Sequence, residues 1–152
     1  MKKIGLLMMG LMLLAQADFS RTESGTVIDS QTKLEWQDDY SDNGGIKIAW
    51  WGEALTYCHD LNLDGTGWRL PNINELKSLI VETQFAPSID SKFINTNTNT
   101  SVNYAYWSST KTRKDNNKVW GVDFSSGVVY QVAYEFYNGR RQQNVRCVRD
   151  YK

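Results

Sequence analysis

Few residues of this 152-residue chain are suited to covalent or metal chemistry. There are two cysteines, Cys58 and Cys147, and one histidine, His59. Catalysis needs a positioned acid, base or nucleophile. Cys58 and His59 are neighbours, but successive helical residues point about 100° apart, so they do not form a dyad. The chain contains no Gly-x-Ser-x-Gly elbow, no His-Glu-x-x-His pair and no phosphate-cradling glycine loop. Asp60, Asn62 and Asp64 open like an EF-hand loop. Its twelfth position is Pro71, where a bidentate Glu is required, so the match fails. Asp38, Asp39 and Asp42 share one acidic loop, which either stays solvated or holds a calcium ion. The expectation is a protein without catalytic residues, metal or cofactor.

Cations offer a different kind of chemistry. Residues 18–110 carry 13 acidic and 6 basic side chains, whereas residues 111–152 carry 4 acidic and 9 basic ones, so positive charge gathers late in the chain. Lys111, Arg113, Lys114 and Lys118 fall in one loop, and Arg140 and Arg141 in a second that begins at Tyr137. In a sheet of hairpins these two loops meet at one end. Guanidinium forks suit sulfate and phosphate, and Tyr106, Tyr134 or Tyr137 would stack on sugar rings. Ordinary solubility charge is the alternative. A nucleic-acid partner does not fit, because the formal charge is zero overall and the chain carries an export leader.

That leader is residues 1–17. Lys2 and Lys3 precede the apolar run Ile4–Leu14, and Ala15-Gln16-Ala17 is a small-x-small cleavage site. The run falls short of the roughly 20 residues a membrane span needs, and no later stretch is apolar enough for one. The expectation is a signal peptide over 1–17 and a single exported domain over 18–152, in the periplasm, on the cell surface or secreted. In that oxidising setting Cys58 and Cys147 read as a disulfide, the alternative being two buried thiols.

The elements that must position these groups follow from periodicity. Gly25–Ile28 and Leu34–Trp36 flank turn chemistry and read as a hairpin. Over 49–62, Trp51, Ala54, Leu55, Cys58 and Leu61 share one helical face. Asn72 and Glu75 are spaced as a capping box ahead of Ile73, Leu76, Leu79 and Ile80. Residues 95–103 are a polar, repetitive loop without means of burying itself. Tyr106–Ser109, Val119–Phe124, Val128–Tyr134 and Val145–Arg149 read as strands, with Gly127 at a turn position that needs positive φ. The class is α+β, with two helices packed on an antiparallel sheet.

These segments resemble, in order over about residues 22–150, the Lcl C-terminal domain family of collagen-like bacterial adhesins, a domain of unknown function. The matching pieces are Gly25–Asp29 with Leu34–Gln37, Ala54–Cys58, Trp68-Arg69-Leu70-Pro71-Asn72 with Glu75, Tyr106–Thr110, Val119–Phe124 and Val145–Arg149. The family is similar to C-type-lectin-like domains. The resemblance implies a compact mixed domain with a disulfide from the first helix to the last strand. It also implies a glycan ligand, since the adhesin's domain is associated with sulfated glycosaminoglycans. The calcium-dependent sugar motifs of C-type lectins are absent. Sulfatase-activating enzymes share the broad fold and a related Arg-Leu-Pro stretch, but they need redox or copper-binding cysteines beyond a structural pair. Within the motifs, Trp68, Trp107 and Trp120 are expected to dominate the core. Arg69 is expected to pair with a buried acid, Asp123 being the candidate, or with backbone carbonyls.

The functional expectation is a binding module for glycans or an envelope or surface protein, acting in adhesion. A structural subunit of a surface assembly, self-associating through its β edges, and an enzyme on a lectin-like scaffold are the alternatives.

Overall fold

In the computed structural model of the chain, residues 18–99, 103–134 and 141–152 are described; the leader expected over 1–17 lies outside them. Alternating and β-branched segments form two sheets. In the first, β1 (Phe19–Arg21), β2 (Thr26–Asp29) and β3 (Leu34–Gln37) run antiparallel in order, and β9 (Val148–Asp150) closes the far side of β3. The second has the order β4 (Ile48–Ala49), β8 (Gln143–Asn144), β5 (Tyr106–Lys111), β6 (Lys118–Asp123), β7 (Val128–Ala133), with β8 parallel to β5. Two helices complete the α+β domain: α1 (Trp51–Asp60) and α2 (Ile73–Lys77). Among the described residues no helix is long and apolar enough to cross a membrane.

Local chemistry sets the connections. The Asp29 carboxylate accepts from the Gln31 and Thr32 amides at 2.9 and 3.2 Å, which closes the β2–β3 turn. Gly127 sits at φ +73°, as its turn demands. The Asn72 side chain caps α2 by accepting from Asn74 and Glu75, while Glu75 accepts from the Asn72 amide at 2.8 Å.

The second sheet is packed on both faces. On one side Tyr106, Val122 and Phe124 join Trp36, Val27 and Val148 of the first sheet, Leu76 of α2 and Leu79 just beyond it. On the other, Trp107, Val119 and Val132 meet Ala54 and Cys58 of α1, with Trp68, Val145 and Cys147. Every member of the expected α1 face lies in this second cluster, Trp51 and Leu55 at its margin. Gly121 allows the close approach of strands, since a Cβ there would stand 2.8 Å from the Tyr106 carbonyl oxygen.

Two expectations are corrected. Trp120 is half-buried, and Trp36 takes the central place beside Trp68 and Trp107. The terminal segment is not one strand with Cys147 at its middle. It splits into β8 and β9, because residues 145–147 cross from one sheet to the other and send Val145 and Cys147 into the α1 core.

Cys147 bonds Cys58 in that crossing, 89 residues away in sequence. Closing a loop of about 90 residues stabilises the fold by about 3–5 kcal/mol through the unfolded chain's lost freedom. Urea titration of a Cys58→Ala/Cys147→Ala variant is therefore expected to show about that loss against the oxidised parent. A difference below about 1 kcal/mol would contradict this role.

Candidate functional site

Three places combine chemistry with geometry. The first is buried. Arg146 lies in the crossing segment with its side chain fully excluded from water, and its Nη2 donates to Asp38 Oδ1 at 2.9 Å. The same nitrogen donates to the Asn95 carbonyl at 2.7 Å, and Nε to the Gln37 carbonyl at 3.2 Å. The guanidinium stands 4.8 Å from the Phe93 ring centroid and 5.0 Å from that of Tyr106. Arg21 covers Asp38 from its other side, and the Ile94 and Asn95 amides donate to it as well. Burial pushes the Tyr40 and Tyr106 hydroxyls well up, so both stay neutral beside the pair.

This cluster corrects several expectations. Asp38 is not part of a solvated acidic loop: its carboxylate is spent on two guanidiniums, which leaves no free ligand for calcium. Asp39 accepts from Ser41 instead, and Asp42 from the Tyr57 hydroxyl at 3.1 Å. Among the described residues no three His, Cys, Asp or Glu side chains gather as a metal site. Tyr106 is core, with its hydroxyl accepting from the Asn97 amide, and is closed to a sugar. Asn95 and Asn97 of the polar repetitive loop are half-buried, since Asn95 Nδ2 donates to the Asp38 carbonyl and Asn97 Nδ2 to Asn144.

The second place is the Trp68–Asn72 motif. Trp68 is buried, and its Nε1 donates to the Leu63 and Gly65 carbonyls. Arg149 lies over its ring at 4.5 Å and donates to Glu35 at 2.7 Å. Arg69 forks onto Glu75 at 2.7 and 2.8 Å and reaches Asp150 at 3.3 Å. The Glu75 hydrogen bonds hold the Arg69 guanidinium above its ordinary value. Asp123 is not its partner: that carboxylate accepts from the Ser125 amide and the Ser126 hydroxyl and closes the β6–β7 turn. Leu70 is buried, and the Pro71 carbonyl accepts from Ser109 at 2.8 Å. Two adjoining hollows of about 330 Å³ share Thr66, Arg149, Asp150 and Lys152, but the guanidiniums lining them are already paired with carboxylates.

The third place is the open one. The Lys111 ammonium, at the end of β5, stands 5.3 Å from the Trp51 ring and 5.2 Å from the Tyr134 ring. Those rings lie 4.6 Å apart at 37°. Trp51 is fixed by its Nε1 donating to the Ser108 carbonyl at 2.9 Å. Tyr134 donates through its backbone N–H to Asn117 and through its hydroxyl to Asn116. The chain leaving β7 therefore meets the β5–β6 connection, where Arg113 and Lys114 are exposed. Lys118 is paired with Asp115 at 3.1 Å and is less free than expected. Tyr137 and Arg140 lie outside the described residues. Arg141 is exposed, 3.4 Å from the Tyr104 hydroxyl, and Tyr104 meets Tyr130 edge-to-face at 5.1 Å.

Sequence periodicity places Trp51 on the inward face of α1 and says nothing of Tyr104 and Tyr130. The alternation of Tyr130, Val132 and Tyr134 along β7 was the available sign. His59 is exposed on α1, and Cys58 is oxidised.

Fold and site together define an α+β domain, stapled by one disulfide, that presents aromatic rings and cations at one end of a sheet. The model of the Lcl C-terminal domain matches residues 25–149, and the chain belongs to that family. No curated protein matches the chain.

The buried pair yields a prediction. Asp38→Asn leaves Arg146 charged and uncompensated, and its expected cost is about 3–5 kcal/mol in urea unfolding. Adding Arg146→Met to that change should recover part of the loss. Strict additivity of the two would show that the pair is not coupled.

Proposed function

We propose that this protein is an exported, non-enzymatic binding module with a C-type-lectin-like fold, and that it takes sulfated or otherwise anionic glycans on the Trp51–Lys111–Tyr134 face. The observation that carries this reading is the Lys111 ammonium set against two aromatic rings at 5.3 and 5.2 Å. A sugar ring packs its C–H face on an aromatic plane, and a cation beside the plane pairs with a sulfate or carboxylate substituent. Arg113, Lys114 and Arg141 extend the positive field around the platform, and Tyr104 and Tyr130 extend the aromatic surface. Membership of the Lcl C-terminal domain family supports the reading. The disulfide is compatible with export.

Metal takes no part in this proposal, so retention on a heparin column should survive chelator and fall as salt rises. Lys111→Ser and Trp51→Ala are each expected to weaken binding by at least about tenfold, or 1.4 kcal/mol. Replacing Lys111, Arg113, Lys114, Arg140 and Arg141 together by Ser should abolish retention. Unchanged retention in these variants, or none by the parent, removes the proposal.

A further inference from the structure

The Trp51–Lys111–Tyr134 grouping has a counterpart further back along β7. Alternate residues of that strand share the face that packs on α1. Val132 is buried in the core cluster with Ala54 and Cys58, and Trp51, Tyr104 and Tyr134 pack at the margin of the same cluster. Tyr130, two residues before Val132, lies on this face and is 37% exposed. Its ring meets that of Tyr104 edge-to-face at 5.1 Å, and Arg141 Nη1 stands 3.4 Å from the Tyr104 hydroxyl. Two aromatic rings and one cation are thus grouped twice on one face.

The strand sets the spacing of the two groups. Its ladder runs on past Ala133, since the Tyr134 N–H donates to the Asn117 carbonyl at 3.0 Å. Tyr130 and Tyr134 are therefore four extended residues apart, about 13 Å. On this face β7 places only the buried Val132 between them, so no charged side chain of the strand interrupts the surface. The two cations also differ from most others in the domain. Arg21 and Arg146 are held by Asp38, Arg69 by Glu75, Arg149 by Glu35 and Lys118 by Asp115. Lys111 and Arg141 are exposed, and no carboxylate among the described residues pairs with either.

Resting on the glycan reading above, we infer that Tyr104, Tyr130 and Arg141 form a second subsite, and that the ligand is a linear polyanionic glycan laid along β7 across both groups. The separation exceeds the length of one pyranose ring, so a single sugar reaches one group alone. A chain of several sugars reaches both. Its anionic substituents meet Lys111 and Arg141, and its rings pack on the aromatic side chains beside them. Once the first group is engaged the second contact is intramolecular, so affinity rises when the chain becomes long enough to span the gap.

Calorimetric titration of the oxidised protein with a heparin-derived disaccharide and octasaccharide tests this. The parent should bind the octasaccharide at least about tenfold more tightly than the disaccharide. A longer chain gains somewhat on any cationic surface, so the deciding variant is Tyr130→Ala, which changes no charge. In it, and in Arg141→Ser at an exposed position, the octasaccharide's advantage should fall below about threefold. Tyr130→Phe, which keeps the ring, should retain the parent's advantage. A parent advantage below about threefold, or one undiminished in both Tyr130→Ala and Arg141→Ser, overturns the second subsite and leaves the Trp51–Lys111–Tyr134 platform in place. A parent that binds neither oligosaccharide overturns the glycan reading, and this inference with it.

Discussion

Residues 143–150 belong to both sheets, and the ion pair between Arg146 and Asp38 fixes where they cross. Strand β8 lies between β4 and β5, while β9 closes β3, so the three residues between them must change sheets within one short run. A charged side chain at that point is costly to bury unless fully paired. The Asp38 carboxylate and the Asn95 and Gln37 carbonyls pair Nη2 and Nε, and the Phe93 and Tyr106 rings cover the guanidinium, while Nη1 is buried without a hydrogen bond; the demand for these partners fixes the crossing at one register. Cys147, the next residue, then binds α1 covalently.

The open face depends on this crossing. Cys58 anchors the last turn of α1, and Trp51 is its first residue. With the helix held on the second sheet, the indole is carried to the end of β5, where Lys111 stands, and to the end of β7, where Tyr134 follows. Neither the helix nor the hairpin alone places a cation against two rings. The buried guanidinium and the exposed ammonium are thus linked through one helix and one covalent bond. Long-range placement of this kind would suit the proposed binding face, since rigid elements hold a site more precisely than loops do.

Much of the fold was legible in the residues. The inward stripe of α1, the capping box at Asn72 and Glu75, the Gly127 turn and the pairing of the only two cysteines are local patterns or follow from redox context. The crossing was not legible. Val145-Arg146-Cys147-Val148-Arg149 reads as a strand, but its two arginines fall on opposite faces, and nothing local says that Arg146 is the fully buried one and Arg149 the partly exposed one. The difference is made by Asp38, 108 residues away, which sits in a run of acids that reads as solvated. The same limit explains Arg69, whose partner proved to be Glu75 six residues on, already assigned to the cap, and not Asp123. Trp51 fits the helical stripe and so reads as core, because periodicity gives the direction of a side chain but not where the neighbouring sheet ends.

The proposed function requires a ligand against Trp51, Lys111 and Tyr134. Titrating the isotope-labelled, oxidised protein with a sulfated heparin oligosaccharide and following its ¹H–¹⁵N resonances tests this directly. The Trp51 indole N–H and the amides of Lys111 and Tyr134 should shift together and saturate. Shifts centred on Thr66, Arg149 and Lys152, or no shift at saturating ligand, would contradict it.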